Sequence, residues 1–193
     1  KEIKRFIEES GICKEKIAGV GIAMPGFIDV ERGLNHSFFK LKETDIVSYL
    51  RSVIELPVLI DNDSSVIALA ELRFGSAKGK QNAMVLNIGW GIGLGMILNG
   101  SLFRGNNGFA GEFSHIPLFT NNKMCSCGKM GCLETETSLL VILEKAKEGL
   151  LAGRASVLEG ADTENKELFA SAIMRAALKG DRFAIEILSE AGY

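Results

Sequence analysis

The chain has 193 residues, 47% hydrophobic and 24% charged, and its 22 basic and 24 acidic side chains leave a formal net charge of −2. That composition suits one sizeable domain or two small lobes, and the near balance of charge argues against a nucleic-acid surface within this segment. No run of about 18 apolar residues occurs, so no membrane span is expected, and the charged, amphipathic start KEIKRFIEES does not suit a signal peptide.

In chain order, residues 2 to about 10 predict the end of a helix with Ile3, Phe6 and Ile7 on one face. Ile17 to Ala23 (IAGVGIA) is a short apolar run between Gly and Pro that suits a buried strand. MPGFIDVERG follows and predicts a loop; a loop at the carboxyl end of a buried strand is where α/β folds place ligands. There Gly26 would admit a ligand close to the backbone, with Asn35 as a weaker candidate, although from spacing alone Pro25-Gly26 reads more readily as a plain tight turn.

Thr44 to Glu55 predicts a helix, Thr44 as its N-cap, with Ile46, Val47, Leu50 and Ile54 on one side. Pro57 to Ile60 predicts a second short strand, which runs through Asp61-Asn62-Asp63-Ser64-Ser65 into a helix from Val66 to Phe74. Those polar residues can cap the helix and complement its positive end, or one carboxylate can face a cleft as a general base. The two roles can coexist. Strands are expected at Asn82 to Ile88 and Gly95 to Leu98 around a GWGIG turn, and Asn99-Gly100 is a strong hairpin signal. Backbone amides at Gly89, Gly91, Gly93 and Gly95 offer one way to cradle an anion, against which stands the bulk of Trp90. Phe103 to Phe109 predicts a loop.

The densest chemistry lies between Gly111 and Glu134, GEFSHIPLFTNNKMCSCGKMGCLE. Cys125, Cys127 and Cys132 fall ten, twelve and seventeen positions after His115, in a segment without periodic pattern. Four such ligands grouped on one loop suit a closed tetrahedral Cys3His zinc site, and the clustering of the cysteines favours a reducing, cytoplasmic setting. Glu112 and Glu134 flank the cluster and are not needed to complete its coordination. Beyond it, amphipathic helices are expected at Thr137 to Leu151, Asn165 to Leu178 and Asp181 to Ala191, with a polar connector at Arg154 to Asp162.

CSCGKMGCLET, preceded by GEFSH, closely resembles the signature of the ROK family, which holds bacterial sugar kinases and sugar-responsive transcriptional repressors. PVLIDNDSSVIALAELRFG looks like the family's segment with the catalytic aspartate, NIGWGIGLGMILNG like its second phosphate loop and GIAMPGFID like its first sugar loop, so the likeness covers nearly the whole chain. The resemblance implies an actin-like, ribonuclease-H-like α/β fold with a sugar between two lobes. Residues 1–61 would be the remainder of the N-terminal lobe and 62–193 the C-terminal lobe of a partial domain. It also implies structural zinc on His115, Cys125, Cys127 and Cys132, and sugar contacts from Gly26, Asn62, Asp63, Glu112, His115 and Glu134. In a kinase Asp63 would be the base, with ATP and magnesium at a phosphate loop that includes Gly89, Gly91 and Gly93. A homodimer or homotetramer is the family expectation.

The chain departs from the kinase pattern at three places. The family's first phosphate loop would precede residue 1, Trp90 stands where kinases usually have Thr, and LETETSLLVILEKAKEGLLAGRASVL is more like the repressors. The leading expectation is therefore a sugar-sensing module whose closure biases a DNA-binding domain, outside this segment, that meets operator DNA. An ATP-dependent, glucokinase-like hexose kinase and a bare zinc-stapled scaffold are the alternatives.

Overall fold

The computed structural model describes residues 1–37 and 46–192, an α/β chain in two units, Lys1–Val85 with Leu94–Gly111 and Leu86–Gly93 with Glu112–Tyr193. In the first unit β1 (Val20–Met24) pairs in parallel with β4 (Val58–Asn62), Val20 opposite Val58 and Met24 opposite Asn62. The side chains alternate as strand geometry requires. Val20, Ile22, Met24, Val58 and Ile60 join a core with Ile28, Val47 and Ile54, while Leu59 on the other face is exposed. The residue-61 boundary drawn from the resemblance lies inside β4.

α1 (Glu2–Glu9) packs Ile3 and Ile7 on this core. Phe6 does not join them: it is 73% exposed and borders an open cavity of about 600 Å³ with Ile12, Ile17 and Val20. β1 starts three residues later than expected, because Lys14–Lys16 form a 3-10 turn that Ile17 ends. Gly19 then passes so close to Pro57 that an added Cβ would lie 2.8 Å from its carbonyl oxygen.

The expected loop after β1 contains a short antiparallel hairpin, β2 (Ile28–Asp29) and β3 (Leu34–Asn35), with Ile28 opposite Asn35. Asp29 closes its turn, accepting the Arg32 amide on its side chain at 2.9 Å and the Gly33 amide on its carbonyl at 2.8 Å. Asn35 is buried; its Nδ2 donates to the Pro25 carbonyl and its Oδ1 accepts from the Ser37 amide. α2 runs Ile46–Ile54; the expected cap Thr44 lies outside the described residues.

β4 passes into α3 (Asp63–Phe74) without an intervening residue. The helix begins three residues before the expected Val66 because Asn62 caps it, its side chain accepting from the Ser64 and Ser65 amides at 2.9 and 3.1 Å. β5 (Ala83–Ile88), β6 (Ile92–Leu98) and β7 (Ser101–Phe103) form a sheet in that order. β6 starts three residues before the expected Gly95, so Gly93, expected in the turn, lies within it. At Gly95 an added Cβ would overlap Ala68 and come within 2.9 Å of the Ser64 carbonyl oxygen. The hairpin between β6 and β7 is the expected one, with Asn99 and Gly100 at φ 54° and 71°.

In the second unit α4 (Glu134–Thr137), α5 (Leu139–Leu151), α6 (Lys166–Leu178) and α7 (Arg182–Gly192) follow the cysteine-bearing loop. Ile142, Leu143, Ala146, Phe169, Ile173 and Phe183 are among the residues of their shared core. Gly149 leaves room for the Phe183 ring. Ser138 separates α4 from α5, so the helix expected from Thr137 starts at Leu139. Among the described residues no helix is long and apolar enough to cross a membrane.

Asp181 holds the polar connector to α7. Its carboxylate accepts from the Ala184 amide at 2.9 Å, the Val157 amide at 2.8 Å and the Ser156 hydroxyl at 3.1 Å. The Ala184 amide leads in holding this carboxyl below its ordinary range, against the opposing effect of burial, with help from Val157 and Ser156. A depressed folded-state value adds stability that is present above the ordinary carboxylate range and is lost as pH falls through the depressed value. Asp181→Asn should therefore flatten the acid arm of the stability curve, measured by urea unfolding from about pH 5 to about pH 2. An acid arm identical to that of the parent protein would deny Asp181 this role.

Candidate functional site

Backbone bonds, rather than regular secondary structure, shape the loop that carries the cysteines. Leu118 and Phe119 both donate to the Gly131 carbonyl, Gly131 donates to Lys123, and Cys125 and Lys129 are joined at 2.8 Å. Gly128 donates back to the Cys125 carbonyl at 2.9 Å. Gly131 has φ 70°, and a Cβ there would strike the Phe119 carbonyl, so this corner requires glycine. Two isolated bridges, Pro117 with Cys132 and Met124 with Met130, complete the knuckle. Glu136 ties it to the helices, pairing with Lys123 at 2.7 Å and Lys145 at 3.4 Å, and Lys145 reaches Glu190.

This folding gathers all four expected ligands. His115, at the end of a 3-10 turn, places Nδ1 3.4 Å from Cys125 Sγ, and Cys127 Sγ lies 3.6 Å from Cys132 Sγ. One donor atom from each residue lies within 4.8 Å of every other, so the set could hold a metal ion. Tetrahedral coordination with metal–sulfur bonds of ~2.3 Å has donor-to-donor edges of roughly 3.6 to 3.8 Å, and the two contacts above fall close to that. The cysteines are free thiols.

Their protons are held unevenly. Burial pushes the Cys132 thiol up to about 12, and the neighbouring Cys127 and Cys125 act in the same direction. Burial also acts to raise Cys127. There the Lys129 amide and the adjacent sulfurs prevail and leave the thiol below its ordinary range.

Glu112 and Glu134 stand on either side of the imidazole. Glu112 Oε2 is 3.7 Å from Nε2, and Glu134 Oε2 is 3.8 Å from Nδ1. His115 thus turns Nδ1 toward the Cys125 sulfur and Nε2 toward Glu112. All three side chains remain partly accessible.

The GWG turn meets the same place from within the unit. An added Cβ at Gly91 would lie 2.5 Å from Glu134 Oε1. The Gly89 amide donates to the Gly91 carbonyl at 2.9 Å, and the Gly89 carbonyl accepts from Leu139 at 3.1 Å. Trp90 is 42% exposed.

The first unit brings together Gly26, Asn62 and Asp63. Asn62 Nδ2 donates to the Gly26 carbonyl at 3.2 Å, and Asp63 Oδ1 accepts from the Ser64 amide at 2.8 Å. Sequence reasoning missed Arg104, which forms a two-bond ion pair with Asp61 next to this corner. Its one local signal is a lone charge in the otherwise uncharged loop FRGNNGF.

A model of the ROK family matches residues 1–193. A glucokinase of Halalkalibacterium halodurans is 32% identical over 183 residues, 93% of this chain and 56% of that protein. A xylose repressor of Caldicellulosiruptor bescii is 34% identical over 185 residues, 93% of this chain and 45% of that protein. The chain spans about half the length of these curated relatives. The crystal structure of a ROK family transcriptional regulator, a homologue of the E. coli MLC protein, superposes with a TM-score of 0.80 at 29% identity. It covers 99% of this chain and 48% of its own.

The uneven thiols give the metal centre a pH signature. Ligation requires the thiolate, so metal added to metal-stripped protein should displace the Cys132 proton, and affinity should rise with pH. Calorimetry in buffers of different ionisation enthalpy measures that release; binding without proton release would refute it. Cys125→Ser should hold less than one equivalent of metal and melt at a lower temperature.

Proposed function

The chain belongs to the ROK family and has its α/β, actin-like fold, and from that premise we propose that it is the sugar-binding effector part of a ROK transcriptional regulator with a zinc-braced site. The observation that carries the sugar reading is the orientation of His115, with one ring nitrogen toward the Cys125 thiol and the other toward Glu112. An imidazole can serve a metal with one nitrogen and a ligand hydroxyl with the other.

Zinc is the ion this donor set suits best. With His115, Cys125, Cys127 and Cys132 as ligands its four positions are protein-filled, so it supplies a brace. Glu112 and Glu134 accept hydrogen bonds from sugar hydroxyls, while His115 Nε2 completes the set. Gly26, Asn62 and Asp63 of the first unit are assigned further hydroxyl contacts. On this reading sugar binding biases a DNA-binding domain outside the segment, which meets operator DNA. The protein works in the cytoplasm as a homodimer or homotetramer.

The turn at Trp90 favours a regulator over a kinase. A phosphate cradle needs unengaged amides, whereas the Gly89 amide is held by Gly91 and the turn packs on Glu134 and Leu139. This supports reading Gly89 and Gly91 as parts of the sugar site's frame. The kinship to glucokinases supports a second reading, an ATP- and magnesium-dependent sugar kinase in which Asp63 takes the hydroxyl proton.

Titration calorimetry of the whole protein with D-glucose and D-xylose, the sugars named by its relatives, tests the first reading. One of them should bind, Glu112→Gln and Glu134→Gln should each weaken it about tenfold, and ATP should yield no ADP. No binding across a hexose and pentose panel would defeat the sugar reading. Sugar-dependent ADP release that disappears in Asp63→Asn would establish the kinase instead.

A further inference from the structure

Asp61 and Arg104 lie 43 residues apart in sequence and meet through two parallel bonds, Nη1 to Oδ1 at 2.9 Å and Nη2 to Oδ2 at 2.6 Å. A two-bond pair fixes the plane of a carboxylate as well as its place. The Asp61 side chain is 17% exposed and that of Arg104 37%, so removing Arg104 strands the Asp61 carboxylate in a largely enclosed setting.

Asp61 passes this fixed orientation on. Its Oδ1 also accepts the Asn62 backbone amide at 2.8 Å. Asn62 in turn accepts from the Ser64 and Ser65 amides with Oδ1 and donates to the Gly26 carbonyl with Nδ2. Arg104 is steadied at its own backbone, whose carbonyl accepts from Ala110 at 3.0 Å. An unbroken series of bonds therefore runs from the Arg104 loop through Asp61 and Asn62 to Gly26.

Stability alone does not explain an arginine here. Well-packed apolar residues generally serve a buried corner as well as an ion pair does. What the fork adds is angular control, and the residues it controls are those assigned to hydroxyl recognition. We propose that Arg104 is a positioning residue for the sugar site: through the Asp61 carboxylate it sets the orientation of Asn62, Asp63 and the Gly26 carbonyl. This inference rests on the sugar-binding reading above.

The test uses the whole protein with Arg104→Ala, Arg104→Lys and Asp61→Asn, and D-glucose and D-xylose as probes. Arg104→Ala should weaken the sugar that binds about tenfold, with zinc content unchanged. Arg104→Lys, which keeps the charge and loses the fork, should recover a part of that loss. Because the effect acts in part through Asp63, Arg104→Ala added to Asp63→Ala should weaken binding by less than the two single losses combined. Fully additive losses would overturn the proposal and leave Arg104 a structural role.

Hydrogen exchange gives a second arm that needs no sugar. The peptide spanning residues 62–66 should exchange faster in Arg104→Ala and Asp61→Asn, since Ser64 and Ser65 depend on a well-placed Asn62. Protection equal to that of the parent protein would overturn the proposal. If the parent protein binds neither sugar, the sugar-binding reading fails by itself, and the exchange arm still decides whether Arg104 orders the corner.

Discussion

The direct passage of β4 into α3 is the constraint on which the first unit turns. With no residue between strand and helix, the groups that must satisfy the first helical amides are the same groups that face outward at the strand's carboxyl end. Asn62 answers both demands with one side chain, its oxygen on Ser64 and Ser65 and its nitrogen on Gly26. Asp63 follows at the first helical position, so its backbone is set by the cap beside it. Of the alternatives of cap and ligand residue, open in the sequence, the cap is what the structure shows: Asn62 takes it, and Asp63 Oδ1 also accepts from the Ser64 amide.

In the second unit the same problem of holding polar groups in irregular backbone has another solution. Glycines at 128 and 131 permit a knuckle that packs three sulfurs and an imidazole into a small volume. The ion pairs of Glu136 with Lys123 and Lys145 fasten that knuckle to helices whose own core is apolar and closely packed. Bringing thiols together raises a proton problem, visible in the opposite shifts of Cys127 and Cys132. A cation among the sulfurs would resolve it. Glu112 and Glu134 stand beside that arrangement without being part of it.

What could be read from the sequence was what is local. His115 and the three cysteines that gather beside it lie within eighteen consecutive residues almost free of periodic pattern, so spacing alone pointed to the cluster. The amphipathic C-terminal helices and the Asn99-Gly100 hairpin were legible for the same reason. Strands of two residues, such as Ile28–Asp29 and Leu34–Asn35, are too short to show a period of two, and they were hidden in a polar stretch. Gly93 misled in the other direction, since glycine suggests a turn and this one lies within β6. At Gly95 glycine answers the close approach of a helix, which no local pattern encodes. The Asp61–Arg104 pair, whose members lie 43 positions apart, was beyond any reading by spacing.

The contact between Gly95 and Ala68 has a consequence for how the sequence can drift. Each position is already at or next to the smallest side chain, and the strand and helix touch there with no gap to absorb a methyl group. Enlarging one residue alone would push α3 away from β6 or tilt it, and α3 begins at the capped corner that holds Asn62 and Asp63. The Ser64 carbonyl crowds the same spot, so trimming Ala68 to glycine would not by itself make room for a methyl group at position 95, and the strand keeps its glycine whatever stands opposite.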